Sequence, residues 1–139
     1  MSIVDDFTRK LWIYLLKTKK EAFEKFKQWN KLVENQTKTK VKKLRTDNKL
    51  EHLSKQFINF CDDEDIAKHK IMVETPQHNG LAKRFNRTIL ERVKAMLFEA
   101  GLPKSFWGEA IMTTTYLMNK CSSTALGFKA PKEVCLGDL

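Results

Sequence analysis

Residues 75–97 read TPQHNGLAKRFNRTILERVKAML, and the rest of the chain is organised around them. Pro76 stops the strand expected before it, and Asn79-Gly80 is a turn dipeptide. The Asn79 side chain can also cap a helix by accepting a backbone N–H of the first turn. After it, Leu81, Phe85, Ile89, Val93 and Met96 or Leu97 recur every three or four residues, which makes one apolar stripe on a helix. Lys83, Arg87 and Lys94 fall on another face, with Arg84 and Arg92 beside it. Such a basic face suits phosphates; the plain alternative is a solvated helix surface.

Outward from this helix, strand and helix patterns alternate. Residues 2–6 read as a short strand that turns at 5–9, and 10–17 (KLWIYLLK) as the returning strand of a hairpin. Residues 21–35 place Ala22, Phe23, Phe26, Trp29, Asn30 and Val33 at helical spacing, with lysines outward. The run 38–44 (KTKVKKL) reads as a loop entering an edge strand shielded by lysines, with a nuclear-import or phosphate patch as the alternative. A strand is expected over 41–46, a helix over 50–60 and a short strand over 70–73. Asp62, Asp63, Glu64 and Asp65 lack the alternating oxygen ligands and glycine of a calcium loop, so they read as a solvated helix end. Gly101-Leu102-Pro103 stops one helix, and the next, over 104–119, is expected to bury Phe106, Trp107, Ala110, Met112 or Thr114, and Leu117. Ala130-Pro131 can start a last short helix. This alternation predicts an α/β layered domain.

At 139 residues the length prior is one domain, and nine Phe with three Trp suffice for a core. The net charge of +9 points to an anionic partner, nucleic acid before an acidic membrane. Cys61, Cys121 and Cys135 form no C-x-x-C, and His52, His69 and His78 do not pair with them at ligand spacing, so neither a disulfide framework nor a zinc site is indicated. A reduced, intracellular setting, nucleus or cytoplasm, is expected. The longest apolar run, 11–16, is too short to span a bilayer.

The pattern TPQ-x-NG-x-A-x-R-x-NRT at 75–88 resembles the final motif of the integrase catalytic core of copia-type retrotransposons, within the retroviral integrase superfamily. In that family the residue between Ala and Arg is a glutamate, the last of three metal-binding carboxylates; here it is Lys83. Asp47, in LRTDNKLEH, resembles the second carboxylate, and the thirty-five residues between it and Lys83 match the family's spacing. Lys49 stands where the family has glycine. DDFTRKLWIYLLKTK at 5–19 resembles the family's second and third strands, so Asp5 and Asp6 match a hairpin turn, and the first aspartate belongs to a strand this chain lacks. AGLPKSFWGEAIMTTTYLMNK and STALGFKAPKEV also resemble the copia-type sequence, with Ser123 and Cys135 as small departures.

The resemblance implies a ribonuclease H-like three-layer α/β fold with a mixed sheet, here without its first, central strand. It implies a partial core over 1–121 and a C-terminal extension over 122–139. Active relatives use Mg or Mn: three carboxylates hold two divalent ions about 4 Å apart, which activate the attacking oxygen and steady the leaving one. With Asp47 the single survivor and an ammonium at Lys83, no cofactor is expected. Lys83 is expected to pair with Asp47, one fixed cation where metal would sit. What the resemblance leaves is a catalytically inactive remnant of a Pol integrase domain. It would bind DNA or RNA backbone weakly and salt-dependently through Lys49, Lys83, Arg84, Arg87, Lys94 and the 38–43 run, without a membrane. The alternative is a domesticated protein-interaction module. Losing a central strand also exposes ladder groups, so an oligomer or a strand-donating partner is expected to complete the sheet.

Overall fold

The computed structural model describes residues 1–46, 55–70 and 80–137, with residues 69 and 70 described as backbone. The described chain is α/β, and it divides into two compact units, Met1–Leu15 with Leu81–Leu139 and Leu16–Gly80. Among the described residues the strands form two two-stranded sheets, one in each unit.

In the first unit, β1 (Ser2–Val4) pairs antiparallel with β2 (Leu11–Ile13) in the register Val4↔Leu11. The turn between them is tied by Asp5, whose Oδ2 accepts the Thr8 backbone N–H at 2.8 Å and also the Thr8 hydroxyl. The Arg9 guanidinium reaches Asp6 at 3.4 Å, and Arg9 itself is left-handed at φ 61°. The strand expected over 10–17 is a strand only over Leu11–Ile13, although the Tyr14 N–H still donates to the Met1 carbonyl at 2.9 Å and the Tyr14 carbonyl accepts from the Met1 amino group at 2.7 Å.

Helix α3 (Gly80–Glu99) buries Ile89, Val93 and Leu97, with Phe85 and Met96 half-buried, so the expected stripe is its inner face. Asn79, the expected cap, lies outside the described residues. The helix ends where Gly101 takes φ 62°: the Leu102 N–H reaches the Leu97 carbonyl at 3.0 Å and the Gly101 N–H reaches Phe98 at 3.1 Å. This pair of bonds closes the last turn, and glycine takes the left-handed position without a Cβ clash. Pro103 then starts a single 3-10 turn (Lys104–Phe106) leading into α4 (Trp107–Lys120).

Helix α4 buries Ala110 and Thr114 from the expected face but leaves that face's large residues out. Ala110, Ile111, Thr114 and Thr115 are buried, while Phe106, Trp107, Met112 and Leu117 remain 39–48% exposed. Small and β-branched residues let α4 lie close on its neighbours, and Thr115 can be buried because its hydroxyl donates to the Ile111 carbonyl one turn back, at 2.7 Å. The core of this unit is Leu11, Ile89, Val93, Leu97, Ala110 and Ile111. Helix α5 (Pro131–Leu136) starts as expected, with Pro131 in its first turn and the Ala130 N–H donating to the Glu133 carboxylate at 2.9 Å.

The second unit holds α1 (Glu21–Thr37), β3 (Lys43–Thr46), α2 (Lys55–Asp63) and β4 (Ala67–Lys70). Helix α1 runs two residues past the expected end and stops at left-handed Lys38. Its apolar side meets α2 through rings: Phe26 lies 5.2 Å from Phe57 and 6.1 Å from Phe60, and Phe23 6.0 Å from Phe57, in tilted and edge-on arrangements. Strand β3 starts at Lys43, where the expected strand began at 41, and pairs parallel with β4 in the register Lys43↔Ala67 to Thr46↔Lys70. β4 therefore begins three residues before the strand expected over 70–73, of which 71–73 lie outside the described residues. The early start has a local cause: Asp65 turns left-handed at φ 55° and the Ile66 N–H bonds the Cys61 carbonyl at 2.8 Å, so the chain leaves α2 already extended.

Candidate nucleic-acid interface

Helix α3 carries the basic residues singled out in the sequence. Its buried stripe fixes the rotation of the helix, so the opposite side must face outward, and Lys83, Arg84, Arg87 and Lys94 are all exposed. From Lys83 to Lys94 the helical rise places cations along about 16 Å of surface. Arg87 is partly neutralised by Glu91 one turn on, Nε to Oε1 3.3 Å, with both side chains more than two-thirds exposed. An exposed pair of this kind is weak and competes poorly with a phosphate. Lys83 and Arg84 make no ion pair with any described residue. Asp47 and Lys49 lie outside the described residues.

The acidic residues are used structurally. Asp5 ties the hairpin turn, and Asp62 Oδ1 receives Lys68 Nζ at 2.8 Å at the end of α2. No three His, Cys, Asp or Glu side chains among the described residues gather in a way that could hold a metal ion. Cys61 is buried, and burial pushes its thiol upward from the ordinary value; Lys68 opposes this and Asp62 adds to it. It is a neutral core residue. No helix among the described residues is long and apolar enough to cross a membrane.

One residue that organises this unit was missed in the sequence. Asn119, in the last turn of α4, receives the Leu11 N–H on Oδ1 at 2.9 Å and donates from Nδ2 to the Leu11 carbonyl at 2.7 Å. Its amide thereby pairs with the outer edge of β2 as a neighbouring strand would. An asparagine near a helix end reads from sequence as a local cap, so nothing there signalled a bond across 108 residues.

No protein-family model matches the sequence. The chain is 48% identical over 134 residues to the retrovirus-related Pol polyprotein from transposon TNT 1-94 of Nicotiana tabacum, a match covering 96% of this chain and 10% of that protein. The chain thus spans about a tenth of the length of the curated relatives it matches. Among solved structures it is similar to a chain of the simian T-cell lymphotropic virus intasome in complex with PP2A regulatory subunit B56 gamma, with a TM-score of 0.75, 17% identity and coverage of 96% of this chain and 46% of that one. It is also similar to the HTLV-2 integrase catalytic core domain in complex with magnesium, in its dimeric form, with a TM-score of 0.68, 22% identity and coverage of 95% and 80%. Nearly the whole chain is therefore homologous to one region of the Pol polyproteins of plant copia-type transposons, and it folds like the ribonuclease H-like catalytic cores of retroviral integrases.

Proposed function

We propose that this chain is a catalytically inactive form of the integrase core region of a retrotransposon Pol polyprotein, retaining salt-dependent binding to nucleic-acid backbone. The observation that carries the reading is Lys83, a cation at the position of the third carboxylate, on the exposed side of a helix that is otherwise packed as expected. The magnesium of the HTLV-2 core needs hard anionic oxygens around it. An ammonium at that position repels a divalent ion, and Asp47 alone cannot hold two. The donor set does not fit the metal, and no strand-transfer step is derived through it. In this reading Lys83 and Asp47 form a fixed pair, and Lys49, Arg84, Arg87 and Lys94 add positive charge around it.

Binding through such a face is to phosphates, with little reading of bases, so its specificity is low. The partner is DNA or RNA inside the cell, in nucleus or cytoplasm. Residues 1–121 act as the core and 122–139 as its extension. The test is fluorescence anisotropy with a labelled duplex at low and moderate salt. Arg84→Ala with Arg87→Ala is expected to weaken binding several-fold at low salt and to flatten the salt dependence by about 2 in slope. Binding indifferent to salt and to these changes would overturn the reading, as would heat on titration with magnesium or manganese together with nicking of DNA.

A second reading, a protein-interaction module, has its own support. Phe98 is 88% exposed on α3, and on α4 Tyr116 is 59% exposed, one turn after half-exposed Met112 and next to half-exposed Leu117. Exposed rings of this size mark interaction surfaces. Oligomerisation, as in the dimeric HTLV-2 core, or a partner that donates a strand, would use them or the open strand edges.

A further inference from the structure

Helices α3 and α4 belong to the same unit, and an open groove of about 540 Å³ runs between them. It lies off the basic face. With about 3.6 residues per turn, the groove positions Ala95, Met96 and Glu99 fall on a side of α3 away from Lys83, Arg87 and Lys94. Ala95 and Ala100 keep the α3 wall low, and Met96 and Leu117 supply the larger apolar side chains. Among the described residues that line the groove there is no aromatic ring.

Thr114 of α4 also lines the groove, and it is 1% exposed. Its hydroxyl has no hydrogen-bond partner among the described residues. The next residue shows the ordinary behaviour of a buried threonine on this helix, its hydroxyl donating to the Ile111 carbonyl at 2.7 Å. Thr114 does not fold back in that way. A polar group is thus held in an otherwise apolar wall with its hydrogen-bonding capacity unused, which is destabilising until something meets it. The two ends of the α3 wall carry opposite charge. Arg92 and Glu99 are both exposed, and neither makes an ion pair with any described residue. Seven residues of helical rise set them about 10 Å apart. The C-terminal end of α3 adds partial negative charge beside Glu99.

We infer that this groove is a docking site for a short extended peptide segment of a partner protein, with an acidic residue at the Arg92 end, a basic residue at the Glu99 end and aliphatic residues between. Each feature of the groove selects part of that chemistry. Two unpaired charges of opposite sign call for a ligand that carries both. An extended chain covers about 10 Å in three residues, so the acid and the base stand at positions i and i+3. The Thr114 hydroxyl calls for a polar group midway, which a peptide amide supplies and a bare hydrocarbon chain does not. Walls of Ala, Met and Leu suit aliphatic side chains, and they offer no ring for a planar heterocycle to stack on. The site is separate from the nucleic-acid reading and stands whether or not α3 binds phosphates.

The experiment titrates the isotope-labelled whole chain with the capped peptide acetyl-Glu-Leu-Ala-Lys-amide and with the reversed acetyl-Lys-Leu-Ala-Glu-amide, following backbone amide shifts. The first peptide is expected to move the amides of residues 92–100 and 114–117. It should bind roughly threefold to tenfold more tightly than the reversed one, as two exposed charge pairs allow. Arg92→Glu with Glu99→Arg is expected to exchange that preference, and since both positions are exposed the circular dichroism should not change. Thr114→Val puts a methyl in place of the hydroxyl. It is expected to raise the thermal midpoint of the free chain and yet weaken the first peptide, a pair of changes that a merely structural threonine would not give. Ala95→Trp, which fills the groove from an exposed position, should abolish the shifts. Shifts that avoid the groove overturn the inference, as does a peptide preference that survives the charge exchange. A monomer–dimer equilibrium abolished by Ala95→Trp would also overturn it, by assigning the groove to a second copy of the chain.

Discussion

Lys83 and Asn119 show two kinds of legibility at the level of single residues. Lys83 is legible because a motif surrounds it: its neighbours keep their identity and order, so the substitution falls at a known place. Asn119 is not, since its amide matters only through a backbone that lies far away in sequence. Cys61 is intermediate, its burial following from the apolar side of α2. Its thiol, raised chiefly by burial, makes a pH prediction. The folded chain keeps the proton to higher pH than the unfolded chain, so the stability linked to it is complete below the unfolded thiol's value, about 8.5. It is lost as pH rises through the higher folded value. Urea midpoints should fall between pH 8 and 10, and Cys61→Ala should reduce that slope. Tyr14, also raised by burial, adds a decline in the same direction only at still higher pH.

Among the elements, α3 and α1 follow from periodicity, because one stripe of large side chains leaves a single way to bury them. Helix α4 does not. It carries large residues on the outside and Ala, Ile and Thr inside, and the inner set won because close approach to β2 favours small, β-branched side chains. Gly108 belongs to the same logic, since a Cβ there would sit 3.2 Å from Leu15 Cδ1. The join between α4 and β2 rests on Asn119. Asn119→Leu is expected to orphan the Leu11 N–H and carbonyl, each costing about 1–3 kcal/mol when buried. The expected result is a clear drop in the thermal midpoint together with faster exchange of the Leu11 amide. An unchanged midpoint would mean that water replaces the clasp without loss.

For the molecule as a whole, the two sheets matter most. Among the described residues the strands pair two by two, β1 with β2 and β3 with β4. Each pair has an edge that no other described strand covers, and isolated pairs of strands are marginal in water. The 139-residue chain is therefore expected to unfold at low denaturant and over a broad range, and to sharpen when an extended peptide or longer chain supplies a strand. Circular dichroism through a urea series checks this; one sharp transition in a monomer, matching at every wavelength, would contradict it.

The amino-acid sequence by itself determined the α/β order of elements, the inner face of α3 and the basic surfaces, with a lysine at residue 83. These depend on local spacing and on residue chemistry, both of which are written along one dimension. The burial of Thr115, the choice of Thr114 over Met112, the Asn119 clasp and the pairing of the described strands in two sheets were decided by tertiary structure. Each depends on which backbone groups meet across long separations, and competition for burial and hydrogen bonds settles that only once the chain is folded.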